Sequence, residues 1–556
     1  MSKKQLPFAE HADTLSLKAL RELVTGLVEK TDRAERRLEL LETENAALRL
    51  ENEELRLDNI RLKAENQLLR DEIARLKNLP PRPPFRPSGM EKATDPKLDN
   101  KPVGKKRPRG PKLDRDRVTC EAYLRMPTPA GGRFKGYKDC FVRELVVKAE
   151  LVRYRRECWV TADGKTIIAP LPQGVSGGYG PNVRRFCLML HAQGQVTTER
   201  LATLLNDVGI EISKRQVVRL LTGGLEGFVA EDAAVLHAGL VSSQYVTVDD
   251  TGARHGTGNF HTTQIGGEHF SAFRTTPSKS RLNFLSILRG NYCDYVLNQA
   301  AFDYLQDRHG VDPAVIARLQ TRRPLHFANQ VPFLEHLAAR GIDIFDKQIV
   351  RLLAEAATFG AIRHHGLLGD TVIVSDDAGQ FRVANHALCW IHAERLMQKL
   401  MPAKPREARA LTFVRDLVWR FYKLLKAWRQ NPSPQSAVEL RRRFTRIFTL
   451  RTGYADLDKL LMRLHRREDE LLKVLERPNI PLHTNASEND LRSFVTKRKI
   501  SGGTVSRDGR VARDTMLGLL KTCRKLNLSF WDYLGDRLGI AGETVPLLAG
   551  LVAAEA

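Results

Sequence analysis

Leucines recur every seven residues near the beginning of the chain. Nine positions spaced seven apart, from Leu20 to Leu76, carry leucine or alanine, and asparagine takes four successive companion positions from Asn45 to Asn66. Leucine at one seam position with asparagine at the other is typical of a parallel two-stranded coiled coil, because a buried asparagine loses its partner in other registers. We therefore predict a leucine-zipper coiled coil over residues 15–78, which would join two copies of the chain as a homodimer.

The heptads stop at a proline-rich stretch, and the pattern then changes to that of strands. Nine prolines fall within residues 80–111. A segment of this composition cannot bury a core, which predicts a basic Pro-rich linker over 79–117. Apolar and polar residues alternate beyond it, and we predict a small β module over 118–175. Its cysteines, Cys120, Cys140 and Cys158, lack the paired spacing of zinc knuckles, so we expect no zinc there and interpret them as small apolar residues.

A helical period begins at Pro181. Two short amphipathic segments, TTERLATLLNDVG and SKRQVVRLL, meet near Gly209. They predict a helix-turn-helix within a DNA-binding region over 180–224, with Ser213 as the N-cap of the second helix. Its first turn holds three candidates for contact with DNA: Lys214, Arg215 and Gln216. The alternative is a helical hairpin with a purely structural role.

Composition and charge narrow the class of protein. The 556 residues include 89 Lys and Arg against 65 Asp and Glu, a formal net charge of +24. An excess this large favours a polyanionic partner, and we expect nucleic acid. Seven scattered cysteines and the lack of a secretory or membrane-spanning apolar run favour the cytoplasm and no membrane partner.

Three segments carry acidic residues in patterns that suggest chemistry. Asp249 and Asp250 fall in SSQYVTVDDTGARH, where we predict that they end a strand. Asp376 and Asp377 follow the short apolar run VIV, and Glu488 lies in the predicted helix of HTNASENDLRSF, with Arg492 one turn later. Two strand-end aspartates and a helical glutamate supply the oxygen ligands that Mg²⁺ prefers. Paired metal ions of this kind assist in-line displacement at phosphorus.

The motifs together resemble a bacterial insertion-sequence transposase of the insertion sequence 66 family. The matching pieces run in family order from about residue 17 to 525: the zipper, VDDTG, SDDAG, CWIHA and NASENDLR. The resemblance implies a DDE-type enzyme with an RNase H-like α/β catalytic core over 240–505. It assigns Asp249, Asp376 and Glu488 as catalytic and metal-binding residues for Mg²⁺, with Mn²⁺ able to substitute. Asp250 and Asp377 remain open as alternatives, because the strand register is not fixed by sequence.

The rest of the chain is interpreted around this core. We predict a helical insertion at about 278–365, a C-terminal helical element over 506–556 and a supporting role for His392 and Arg492. Downstream, a basic run offers further DNA contacts: Lys497, Arg498 and Lys499. The cysteine pairs of the family's zinc region are missing, which indicates a degenerate equivalent in 118–175.

Together these predictions describe a multidomain α/β protein with an N-terminal coiled coil, a small β module, a helix-turn-helix and an RNase H-like catalytic core that carries a helical insertion. We predict a dimeric transposase in the bacterial cytoplasm, associated with the nucleoid, that cuts element ends and joins them to target DNA. Accessory proteins of the same element are expected partners. The alternatives are a non-catalytic DNA-binding regulator and a nuclease without joining activity.

Overall fold

The computed structural model describes residues 178–308 and 310–555, most of 118–175, and nine helical positions between 25 and 43. The chain divides into two units, Met1–Arg86 and Pro87–Ala556. The predicted zipper (15–78) lies almost wholly, and the linker (79–117) entirely, outside the described residues. Both stay predictions.

The predicted β module contains one described strand pair. Strand β1 (Cys158–Val160) pairs antiparallel with β2 (Thr166–Ile168), and every residue of both strands is exposed. Cys120, Cys140 and Cys158 are exposed free thiols, so our interpretation of them as small apolar packing residues is wrong. The alternating pattern of 118–155 does not become paired strands among the residues described there, because no second apolar surface covers it.

Four helices precede the main sheet. Each apolar period continues until a turn residue or cap interrupts it, as at Gly209 between the second and third helices, where φ is +88°. The helices are α1 (Pro181–Ala192), α2 (Thr198–Asp207), α3 (Lys214–Thr222) and α4 (Glu226–Ser242).

The main sheet has five strands in the order β5-β4-β3-β8-β9. Its members are β3 (Tyr245–His255), β4 (Gly258–Gly266), β5 (Ser271–Thr276), β8 (Val372–Ser375) and β9 (Asn385–Leu388). β3, β8 and β9 run parallel, whereas β4 is antiparallel to β3 and to β5. This mixed α/β arrangement is consistent with the RNase H-like core that the family resemblance implies.

The connection from β5 to β8 is long and mostly helical. It contains α5 (Arg281–Arg289), α6 (Gln299–Arg308), α7 (Pro313–Leu319), α8 (Gln330–Ala339) and α9 (Lys347–His364). It also forms a small antiparallel pair, β6 (Tyr295–Leu297) with β7 (Leu325–Phe327), which the helical periods in the sequence did not indicate.

A second helical block follows β9. It contains α10 (Trp390–Gln398), α11 (Pro405–Gln430), α12 (Pro434–Phe448), α13 (Ala455–His465) and α14 (Glu468–Leu471). Its buried side chains pack around Trp390 and form a hydrophobic cluster distinct from the larger one of α1–α9 and the sheet. We did not predict this block as a separate layer.

β8 separates the two clusters. Val372 and Val374 belong to the cluster of α10–α14, whereas Ile373 belongs to the larger one. Because side chains alternate along a strand, β8 is buried on both faces, which explains its uninterrupted apolar sequence.

Four helices complete the fold: α15 (Asn485–Ser501), α16 (Arg507–Lys525), α17 (Phe530–Arg537) and α18 (Leu548–Glu555). α15 packs on β3 and β4, and α16 packs on β5 and α4. None of the helices among the described residues combines the length and apolar character needed to cross a bilayer.

Candidate active site

Asp249 and Asp376 lie at the same level of two neighbouring parallel strands. β3 and β8 pair Thr247 with Val374, and each aspartate follows its member of that pair by two residues. The period of a strand is two, so Asp249 lies on the face of the sheet that Thr247 occupies. Asp376 directly follows β8. Asp249, however, does not end its strand as predicted, because β3 continues to His255 as a hairpin with β4.

α15 brings Glu488 to the same face. Ser487 Oγ donates a hydrogen bond to Thr247 Oγ1 over 2.6 Å, and both residues are buried. This contact fixes the first turn of α15 against β3, two residues from Asp249. Glu488 follows Ser487 within that first turn, where the partial positive charge of a helix N-terminus stabilises a carboxylate. Thr484 occupies the N-cap position, without a side-chain capping bond.

α10 contributes two basic side chains around Glu488. Arg395 holds the carboxylate with both terminal nitrogens, at 2.8 Å from Oε1 and 3.2 Å from Oε2. His392 Nε2 lies 3.7 Å from Glu488 Oε1. The motif that carries His392 was visible in the sequence. Arg395 was missed, and the signal available for it was its position one turn after His392 on the same helix.

The charges in this site influence one another. Burial raises the pKa of Asp249 to about 6, with further contributions from the nearby Asp376 and Asp250. The backbone N–H of Asp250 and the His392 ring act in the opposite direction. Burial alone would lower the pKa of His392, yet the Cys389 thiol and the Glu488 carboxylate raise it to about 9 against the repulsion of Arg395. The site therefore contains two aspartates that repel each other and, beside them, a glutamate that is already paired with Arg395.

The two alternative aspartates face other partners. Asp250 pairs with Lys279 Nζ at 2.7 Å and accepts a hydrogen bond from Gln380 Nε2 at 2.9 Å. Asp377 forms ion pairs with Arg463 and Arg467 of the second helical block. Each is thus engaged away from the cluster of Asp249, Asp376 and Glu488.

A divalent cation fits the donor set of the two aspartates. Asp249 and Asp376 supply carboxylate oxygens, and their mutual repulsion would be relieved by a hard cation. Glu488 does not join them in this arrangement, since Arg395 occupies both of its oxygens. Accordingly, the part of the chain that the structure describes contains no group of three or more His, Cys, Asp or Glu side chains positioned to hold a metal ion.

The remaining candidates of the sequence divide between surface and interior. Lys214 and Arg215 are exposed on α3, whereas the Gln216 side chain accepts a hydrogen bond from Ser213 N in a capping box. Lys499 is exposed, but Lys497 is buried and donates to the carbonyl of His191. Arg498 donates to the carbonyl of Gly252. As placed, Lys497 is not at a surface that DNA could reach, and Gln216 is occupied by its cap.

Arg492 does not pair with Glu488 as the helical spacing suggested. It is exposed on α15, and Arg395 takes its expected place. The i, i+4 spacing allowed the contact, but the carboxylate points toward α10, where burial strengthens the ion pair.

Comparison with known proteins decides the family. Residues 365–512 match the family model described as Transposase IS66 family. The chain belongs to this family. The matched segment contains Asp376, His392, Arg395 and Glu488, while Asp249 lies before it.

One relative is close over a long stretch. The chain is 73% identical over 322 residues to the uncharacterized protein y4jO of Sinorhizobium fredii (strain NBRC 101917 / NGR234). The aligned stretch is the whole of that protein and 58% of this chain. Its name assigns no activity. Membership of the IS66 transposase family implies DNA binding, as the net charge of +24 suggested.

Proposed function

We propose that this chain is a DNA transposase that cuts the ends of an insertion sequence and joins them to target DNA. The observation that supports the proposal is that Asp249 and Asp376 lie at the same level of two neighbouring parallel strands, while the residue before Glu488 is bonded to β3 through Thr247. The family match over 365–512 supports it.

The proposed chemistry has two displacements at phosphorus. Water attacks a phosphodiester at the element end, the bond to the 3′ oxygen breaks, and a free 3′-hydroxyl results. That hydroxyl then attacks a phosphodiester of the target strand, which forms the new joint and releases a target 3′-hydroxyl. Asp249 and Asp376, joined by Glu488, would hold a divalent cation, which would supply Lewis acidity for both displacements. No external energy source is consumed: the first displacement hydrolyses one ester bond, and the second makes one ester bond for the one that it breaks.

The residues around the carboxylates have distinct proposed roles. The pKa of His392 is raised to about 9, and its cationic form would attract the phosphate that enters the site. Arg395 keeps Glu488 oriented until metal and DNA arrive. We further propose that Lys214 and Arg215 of α3, with Lys499, contact DNA outside the site. Arg492 and Arg498 would be next to that path, and the coiled coil over 15–78 would pair two protomers.

The test is a joining assay with the full chain. Cells would carry the element's two flanking ends around a marker, the chain expressed in trans with any accessory proteins of the element, and a target plasmid. Joined products that depend on Asp249, Asp376 and Glu488 would support the proposal. Cut but unjoined ends would instead indicate a nuclease. Binding to the ends with no cleavage at any divalent metal concentration would indicate a regulator.

A further inference from the structure

A cavity lies beside Asp250, across β3 from Asp249. Its volume is about 240 Å³, and six residues line it: Lys279, Ser280, Arg281, Arg351, Glu355 and Gln380. We call it the α5 cavity, because the first three residues form the N-terminus of that helix. The segments that line it come from the insertion between β5 and β8, apart from Gln380, which follows β8.

The lining has more positive than negative charge. It contains three cations and one carboxylate, Glu355, which is buried. Arg281 Nη1 is 3.5 Å from Glu355, whereas Arg351 Nε is 3.9 Å away and its side chain remains 57% exposed. Glu355 also accepts a hydrogen bond from Tyr304. Lys279 also pairs with Asp250, and Arg281 donates to the carbonyl of Gly379, so the capacity to bind an anion rests mainly on Arg351.

Two further observations point to an anion. Nε of Arg281 is buried without a hydrogen-bond partner in the structure. The N-cap of α5, Ser280, is also one of the lining residues, and a helix N-terminus favours an anion.

The position of the cavity limits what the anion can be. Lys279 Nζ lies 2.7 Å from Asp250, whose neighbour in the chain is the proposed catalytic Asp249. Successive phosphates on one DNA strand advance by roughly 3.4 Å along the helix axis. A strand that places one phosphate at Asp249 would present a nearby phosphate to the α5 cavity by passing the edge of β3 beyond its last pair with β8.

We propose that the α5 cavity binds a backbone phosphate that neighbours the scissile phosphate on the same DNA strand. Lys279 and Arg351 would be its principal contacts. This gives the insertion of 278–365 a role in positioning the substrate. The inference rests on the proposed function, because it takes DNA as the ligand.

The experiment combines charge removal in the protein with charge removal in the DNA. Full-length Lys279→Gln and Arg351→Gln variants are compared with Arg322→Gln, which removes an exposed arginine from the same insertion, outside the cavity lining. Each protein is titrated with duplex DNA of the element end, in which a neutral methylphosphonate replaces one phosphate at a time around the cleavage position. Lys279→Arg and Arg351→Lys, which keep the charge, test for damage to folding.

The proposal expects one sensitive phosphate in the wild-type protein that becomes insensitive in the two glutamine variants. Those variants should bind unmodified DNA several-fold more weakly, and the slope of log K against log salt should shrink by about 1 for each charge removed. Arg322→Gln should keep the sensitive phosphate and the wild-type slope. The charge-conserving variants should keep most of the affinity.

The proposal is overturned if Lys279→Gln and Arg351→Gln behave like Arg322→Gln, or if they weaken binding while the same phosphate stays sensitive. Cleavage by the wild-type protein is measured in parallel. Asp249-dependent cleavage without a cavity-linked phosphate would reject only the cavity. A cavity-linked phosphate without cleavage would reject the transposase proposal and keep the binding site.

Discussion

Asp249 and Asp250 are neighbours on one strand, and so are Asp376 and Asp377 at the end of another, yet the members of each pair have opposite surroundings. Asp249 and Asp376 meet each other and His392, and the pKa of Asp249 is raised to about 6. Asp250 and Asp377 each pair with basic side chains instead. The difference teaches that the local backbone, an alternating strand at Asp249 and the segment after β8 at Asp376, gives the members of each pair different surroundings, which the acidic motif alone does not do.

The largest expected effect separates the two members of the second pair. Asp376→Asn should reduce metal-dependent strand cleavage by about 10³-fold or more, because a lost ligand removes several kcal/mol of transition-state stabilisation. Asp249→Asn should do the same. Asp377→Asn should retain cleavage within about tenfold, since its carboxylate pairs with arginines of the helical block. Single-turnover cleavage of an end duplex measures all three, and an inactive Asp377→Asn with an active Asp376→Asn would reverse the assignment.

We expect the ion pairs around Asp377 to stabilise the folded chain rather than to take part in cleavage. Arg467 joins Asp377 to Glu470, whose pKa is about 2 in the folded chain. Burial opposes this value, and the bonds from His386 and Arg467 outweigh it. A depressed carboxyl pKa contributes stability above its unfolded value, near 4.5, and loses it as the pH falls toward 2.

Glu470→Gln should therefore lower the free energy of unfolding by about 2 kcal/mol at pH 7. The gap between the variant and the wild type should narrow steadily below pH 4.5. Thermal unfolding followed at several pH values, as far down as both proteins stay folded, measures it. A gap that is constant with pH would show that the ion pairs are not its source.

The pairing of Glu488 offers a test of intermediate size. Arg395→Gln frees both carboxylate oxygens and removes a positive charge from the site, so Mn²⁺ should bind about tenfold more tightly, or about 1.4 kcal/mol. Arg492→Gln, the matched control on α15, should leave the affinity unchanged. Calorimetric titration with Mn²⁺ distinguishes them. Tighter binding in Arg492→Gln alone would indicate that Arg492, rather than Arg395, pairs with Glu488.

The smallest effect concerns two lysines on α15. Lys499 is exposed, so Lys499→Gln should weaken DNA binding a few-fold and reduce the salt slope by about 1. Lys497 is buried, and burial with repulsion from Arg513 lowers its pKa to about 7. Lys497→Met should leave the slope unchanged. If both variants gave the same slope of log K against log salt, the burial of Lys497 would not keep it from contacting DNA.

Much of the core could be predicted from the sequence, and the reasons are local. The alternation around Asp249 and the apolar run before Asp376 are strand signals, and TNASEND is a helix start, so three acidic segments could be assigned to elements. The family resemblance then ordered them. Which neighbour faces the site required the register of β3 with β8, since a shift of one residue reverses every side chain.

Other features depend on tertiary contacts that periodicity does not contain. The bond from Arg395 to Glu488 joins residues 93 positions apart. The burial of Lys497 depends on its bond to the carbonyl of His191, 306 positions away. A basic run therefore looked uniform in the sequence although one of its members is interior. The layer of α10–α14 was missed for a similar reason: its amphipathic helices showed their apolar faces but not the second cluster that those faces form.

The register between β3 and β8 also has a consequence for the time course of synthesis. Asp249 and Glu488 are separated by 488 − 249 = 239 positions. A ribosome adding about 5–20 residues per second needs roughly 12 to 48 s to cover that interval. In the first half of this interval the nascent chain can pair β3 with β4 but lacks β8, and until the interval ends it lacks the glutamate. If the proposed carboxylates carry the chemistry, an unfinished polypeptide can contact DNA through α3 but cannot cut it, and a premature stop within this interval yields a product without cleavage activity.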